Sequence, residues 1–195
     1  MQEELVSQIA QTKNIAVLGC EHADVITLGR RTTANEIFNS SVLPIVQSTR
    51  GGLATIHSRG QLVIYPILDL RQNNLSVKSY IELLMDTTTD FLNIYEIPTA
   101  KDMKKVGLYT DAGKIAFCGV EIRQRVALHG ISINISNDLN LFKLINPCGL
   151  QNFEMDRLQN HVDHVQLHSS DSGFDLSLLF GQWSSLFQQR LNILI

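Results

Sequence analysis

The sequence predicts an α+β fold of mixed α/β character, a central mixed sheet flanked by helices, with residues 1–195 as one domain. Three observations carry this reading. Short apolar runs rich in β-branched residues, each bounded by turn formers, come in two groups along the chain. Two longer segments place their apolar residues at helical spacing, one between the groups of strands and one after them. Strands in groups, with helices between and after, form a layered sheet-and-helix structure.

The first group of strands is expected at 14–20 (NIAVLGC), 24–29 (DVITLG), 43–48 (LPIVQS) and 60–70 (GQLVIYPILDL). A helix follows over 77–92, where Val77, Tyr80, Ile81, Leu84, Met85, Thr88, Phe91 and Leu92 fall on one face behind Ser76 as N-cap. Runs at 106–111, 114–122 and 126–136 form the second group. An Asp-Ala-Gly turn between the first two predicts antiparallel pairing. A final helix presents Leu176, Leu179, Phe180, Trp183, Leu186, Phe187 and Leu191 on one face. The polar stretch 159–173 reads as a surface connection.

At 195 residues and 44% hydrophobic content the chain has enough apolar surface for a substantial core. The net charge of −3 argues against general nucleic-acid binding. Cys20, Cys118 and Cys148 are three scattered thiols without a CxxC pair, which suits a reducing compartment. The N-terminus lacks a basic segment followed by an apolar run, and no stretch of about 18 apolar residues occurs, so a cytoplasmic protein without membrane association is expected.

The stretch 144–150, LINPCGL, sets Cys148 between Pro147 and Gly149 where regular pairing stops. A thiol at such a corner is either inert packing or a nucleophile. As a nucleophile it needs a cation or base brought near by the fold, and Lys114, His129 and His57 are the candidates. Two of them have an ordinary role too: a turn lysine in water for Lys114, a core histidine for His129. In 48–66, STRGGLATIHSRGQLVIYP, the glycines and the polar Arg50 and His57 suit either a binding loop or a tight turn. Neither GxxxxGK[ST] nor GxGxxG occurs, so a nucleotide cradle is not supported. His161, His164 and His168 with Asp163 have no cysteine in their set, and solvated surface histidines are expected there rather than a metal site.

Together these stretches closely resemble the octanoyl-acyl carrier protein:protein octanoyltransferases. The family pattern RGGxxTxHxxGQxxxYP is met by Arg50, Gly51, Gly52, Thr55, His57, Gly60, Gln61, Tyr65 and Pro66. CEHADVITLGRR, GKIAFCGVEI, LHGISINI and LINPCGL follow in family order, from about residue 20 to 158. The resemblance implies a fold similar to the catalytic domain of biotin and lipoate ligases. It also implies a two-step acyl transfer. Cys148 takes an octanoyl group from octanoyl-acyl carrier protein as a thioester, and Lys114 lowers the thiol pKa and relays protons. A lysine of an apo lipoyl domain, in 2-oxoacid dehydrogenase complexes or the glycine cleavage H protein, then receives the group. The same carry-over assigns the acyl site to Arg50, Gly51, Gly52, Leu53, Ala54, Thr55, Ile56 and His57, to Phe117, Cys118 and Gly119, and to Gly130, Ile131 and Ser132. No cofactor and no metal are implied. Arg59 stands where the family commonly has Pro, and Phe117 and Cys118 stand where smaller or aliphatic residues are usual. The alternatives are an ATP-dependent lipoate-protein ligase, disfavoured by the Pro-Cys-Gly corner, and a non-catalytic acyl or lipoyl-domain binding protein.

Overall fold

The computed structural model describes residues 2–12, 14–33, 36–37, 42–145, 154–162 and 174–194. In chain order these form α1 (Gln2–Ile9), β1 (Ala16–Cys20), β2 (Val25–Leu28), β3 (Ile45–Gln47), β4 (Thr55–His57) and β5 (Gln61–Ile67). Then come α2 (Val77–Asn93), β6 (Ala100–Asp102), β7 (Gly107–Thr110), β8 (Gly113–Arg123), β9 (Val126–Asn134) and α3 (Leu176–Leu194). The expected strands and both expected helices are present. The short elements α1, β4 and β6 come in addition, in stretches that carry no apolar β-branched run or sustained helical period.

Six strands make the large sheet in the order β1-β5-β9-β8-β7-β6. Every pairing between these strands is antiparallel among the described residues. Mixed pairing belongs to a second, three-stranded sheet in the order β3-β2-β4, where β2 runs parallel to β3 and antiparallel to β4.

The period-two alternation of the large sheet divides its side chains between two faces. Leu62, Ile64, Ala116, Ile131 and Ile133 point to the face covered by α2 and α3, forming the main core with Tyr80, Leu84, Phe91, Trp183 and Phe187. Ser76 caps α2 with a capping box completed by Ser79, although Val77 at its first turn is exposed. On the opposite face, Val6 and Ile9 of α1 pack on Ile67, Val126 and Leu128. Next to them the small sheet closes over the same face through Ile26, Ala54, Ile56, Phe142 and Ile145. No described helix is long and apolar enough to cross a membrane.

Candidate active site

A cavity of about 860 Å³ lies between the large and small sheets, within the range of small-molecule sites, roughly 300–1,000 Å³. Its floor exists because of two glycines facing each other on β8 and β9, Gly119 paired with Gly130. A Cβ on Gly130 would lie 2.3 Å from the carbonyl oxygen of Ile64, so no side chain fits there. Arg50, Gly51, Gly52, Leu53, Ala54, Thr55 and His57 line the cavity on the small-sheet side, and Lys114, Phe117, Cys118, Gly119, Gly130, Ile131 and Ser132 line it on the large-sheet side. Ile56 is the exception within this set. It is fully buried in the small sheet's own core, as strand alternation between two lining neighbours dictates.

Lys114, at the start of β8, is buried, so the ordinary role of a solvated turn lysine does not apply. Its Nζ donates to the carbonyl oxygens of Lys105 at 2.6 Å and Val106 at 3.1 Å. It also sits 4.9 Å from the Phe117 ring centroid and 5.2 Å from that of Tyr109, within cation–π range. Phe117 stacks on Phe142 with centroids 5.3 Å apart, so this departure from the usual family residue builds one wall of the cavity. Cys118 occupies the interior of β8. Burial pushes its thiol up to about 12, with the Lys114 charge offsetting only part of that effect. Cys148 lies outside the described residues, as do Asp163, His164 and His168. The described chain stops at Ile145, which bridges to Ile37, and resumes at Glu154, whose carbonyl accepts from the Lys114 N–H at 3.0 Å.

Arg50 works inward. Its guanidinium donates to the carbonyls of Leu53 (2.8 Å) and Thr27 (2.7 Å), fixing the glycine loop rather than offering a surface charge. Burial lowers its pKa to about 10, still well above neutrality. Arg59 has a local reason too: its N–H, which a proline would lack, donates to Asp24 at 3.2 Å, and the next N–H, of Gly60, donates to Glu21 at 2.6 Å.

His57 is buried and part of a polar chain that crosses the sheet. Its Nδ1 lies 2.7 Å from Gln61 Oε1, Gln61 Nε2 donates to Asn134 Oδ1 at 2.9 Å, and Asn134 Nδ2 donates to the Asp156 carbonyl at 2.9 Å. Burial lowers the His57 pKa to about 4, with the charge of Arg50 acting in the same direction and the Gln61 bond opposing, so the ring is neutral near pH 7. For the Asp156 carboxylate, burial works to raise the pKa. Hydrogen bonds from Thr110, His161, Asn160 and the Arg157 N–H outweigh it and hold the group below its usual value. His161 is therefore exposed but bonded to Asp156, and no metal-holding group of three or more His, Cys, Asp or Glu occurs among the described residues. Gln61 and Asn134 stand out in the sequence only as polar residues inside apolar strands, a signal that becomes informative once burial is known.

At the other end of the cavity, His129 adopts a positive φ of 59° inside β9, which turns its N–H out of the ladder toward Gln2 Oε1 at 2.9 Å. Its Nε2 faces Thr49 at 3.3 Å, and Thr49 donates to Glu121. Beside it His22 Nε2 meets the Tyr65 hydroxyl at 2.7 Å. His129 thus lines the end of the cavity away from Lys114.

The family model described as the lipoyl protein ligase A/B catalytic domain matches residues 1–171. An octanoyltransferase of Dichelobacter nodosus is 34% identical over 171 residues, covering 87% of this chain and 81% of its own length. A bi-partite lipoate protein ligase from Thermoplasma acidophilum superposes with a TM-score of 0.76 at 12% identity, over 98% of this chain and 76% of its own. A biotin protein ligase from Aquifex aeolicus does so with a TM-score of 0.54 at 15% identity, over 88% and 71%. The two structural likenesses speak for the fold alone. With the family model spanning most of the chain, the protein belongs to the lipoyl protein ligase A/B catalytic-domain family.

Proposed function

We propose that the protein is an octanoyltransferase of protein lipoylation, moving an octanoyl group from octanoyl-acyl carrier protein to a lysine of apo lipoyl domains through a thioester on Cys148. The observation that carries this reading is Lys114: a buried lysine, its ammonium held by two backbone carbonyls, lining an apolar cavity beside the ends of the Cys148 segment. Relatives named octanoyltransferase at 34% and 38% identity support it.

In the first half-reaction the Cys148 thiolate attacks the carrier thioester, the new C–S bond forms, the old one breaks, and the carrier thiolate takes a proton from the Lys114 ammonium and leaves as thiol. In the second, the neutral lysine ε-amine attacks, the amide C–N bond forms, the Cys148 C–S bond breaks, and the amine's proton returns to Lys114 as Cys148 departs as thiolate. Thioester exchange is near balance and thioester aminolysis runs downhill, so the pair of steps needs no nucleotide. Burying the eight-carbon chain contributes roughly 5 kcal/mol at about 0.8 kcal/mol per methylene, which grades chain lengths without excluding a neighbour.

Both proposed partners are acidic, so the docking cations matter. Arg50 is committed inside, Arg123 pairs with Glu121 and Arg125 with Asp69. The exposed Arg30, Arg31 and Lys104 border the cavity and are the better docking set. Intact mass spectrometry after incubation with octanoyl-acyl carrier protein tests the function. One hydroxylamine-sensitive octanoyl adduct on Cys148, absent from Cys148→Ser, is expected. A thioester mapped to Cys118 or Cys20 overturns the assignment.

A further inference from the structure

We propose that His57 Nε2 is the hydrogen-bond acceptor that receives and orients the incoming lysine ε-amine in the second half-reaction, an inference that rests on the transferase reading above. The polar chain fixes its tautomer without ambiguity. The Asp156 carbonyl can only accept, so the Asn134 atom facing it is the amide nitrogen and Oδ1 points the other way. Asn134 Oδ1 then accepts from Gln61 Nε2, which leaves Gln61 Oε1 facing His57 Nδ1. An amide oxygen only accepts, so Nδ1 carries the proton and Nε2 carries the lone pair. Asn137 Nδ2 donates to the same Asn134 oxygen at 3.1 Å, which reinforces the direction. Nε2 makes no hydrogen bond among the described residues, while His57 lines the cavity.

The strand register puts the Gln61–Asn134 pair that holds this ring level with the Lys114 end of β8. Asn134 stands one residue beyond the pair Ala116–Ile133, level with Ile115 and next to Lys114, and Gln61 pairs with Asn134 on the far side of β9. Two strand spacings, about 10 Å, separate the strands of Lys114 and Gln61. His57, held by Gln61, therefore stands on the Lys114 side of His22, whose ring lies 5.5 Å from its own. A lone pair serves only a donor. Thiolate and thioester carbonyl are acceptors and the alkyl chain is neither, whereas the amine brings N–H groups. The attacking amine loses one proton to Lys114 as the sulphur departs, and keeps another on the amide product. That remaining N–H stays donated to His57, which takes no proton at any point. A ring that remains neutral beside Arg50, His22 and His129 suits an acceptor and not a general base.

Amides of a carrier's flexible arm also bring N–H donors, so the two half-reactions have to be measured separately. His57→Asn keeps a donor at the Nδ1 position for Gln61 and removes the acceptor at Nε2; His57→Gln restores an acceptor near the Nε2 position. Acyl-enzyme is formed from octanoyl-acyl carrier protein, freed of donor, and mixed with apo lipoyl domain, with thermal melting checking the fold of each variant. In His57→Asn, acylation should fall by no more than about threefold while transfer falls about 10- to 100-fold, in kcat rather than KM, and His57→Gln should regain most of that loss. Transfer at the wild-type rate in His57→Asn, or equal loss in both half-reactions, overturns the role of His57. A wild-type enzyme that forms no acyl-enzyme overturns the transferase reading itself.

Discussion

Lys114 and Glu154 are joined backbone to backbone: the Lys114 N–H donates to the Glu154 carbonyl at 3.0 Å, and the Lys114 carbonyl accepts from the Asp156 N–H at 2.9 Å. The chain that follows the Cys148 segment is therefore registered against the buried lysine by two main-chain bonds, whatever the side chains do. Net main-chain bonds of this kind contribute about 1 kcal/mol each, and breaking one in a buried setting costs more.

Gly107 protects this arrangement from β7. A Cβ there would lie 2.3 Å from Lys114 Cε and 2.4 Å from the Ala116 carbonyl oxygen, so the backbone or the lysine has to move. Gly107→Ala should lower stability by about 1–3 kcal/mol and turnover by more than tenfold. Gly181→Ala on α3, with nothing within 4 Å of the new methyl, should be neutral or stabilising and is the control. Urea unfolding and steady-state transfer assays on both variants check this, and a Gly107→Ala enzyme of normal stability and rate refutes it.

Arginine at 114 retains a cation but cannot titrate. Lys114→Arg should keep part of the iodoacetamide reactivity of Cys148 near neutral pH and lose most turnover. Lys114→Met should lose both, and it removes the ammonium from the Lys105 and Val106 carbonyls, leaving Lys105 with the Tyr109 hydroxyl at 3.4 Å. Alkylation of Cys148 as a function of pH, followed by peptide mapping, is the measurement. A wild-type profile in Lys114→Met means that the lysine does not activate the thiol.

Cys118 has its thiol pushed up to about 12 by burial, far from the thiolate state at neutral pH. Between pH 7 and 8, iodoacetamide should modify Cys148 and leave Cys118 intact in the folded protein. Labelling of Cys118 at a comparable rate counts against its placement in the sheet interior.

The depressed pKa of His57 gives stability a pH dependence of known sign. An imidazole near 6.5 when unfolded and about 4 when folded binds its proton only in the unfolded chain across that interval. Stability is therefore full above pH 6.5 and falls as pH drops toward 4, by about 3 kcal/mol in all. The Asp156 carboxylate, also depressed, acts in a separate window: its contribution is present above the ordinary carboxylate range and is lost only as pH falls below it. Urea midpoints between pH 7.5 and 4.5 should fall for wild type and flatten in His57→Gln. An unchanged slope in that variant excludes His57 as the source.

The placing of the apolar residues determined most of the fold from the sequence by itself. The apolar, β-branched runs along 61–67 and 126–134 and the 3.6-residue repeat along 77–93 and 176–194 are local properties, and the backbone obeys them. The glycine loop, Lys114 and the small residues of β8 and β9 were legible as a set through their resemblance to one family, and the sheets bring them around one cavity. What only the tertiary structure decided is the state of each group. Arg50 reads in the sequence as a polar member of a binding loop and is spent on the carbonyls of Leu53 and Thr27. Ile56 reads as part of a binding motif and turns away, because successive residues of a strand face opposite sides. Gln61 and Asn134 read as interruptions in apolar runs and prove to set the tautomer of His57. Such assignments depend on which atoms from distant stretches end up within 3 Å of one another, and on how much water is left around them. Neither quantity exists until the strands have paired.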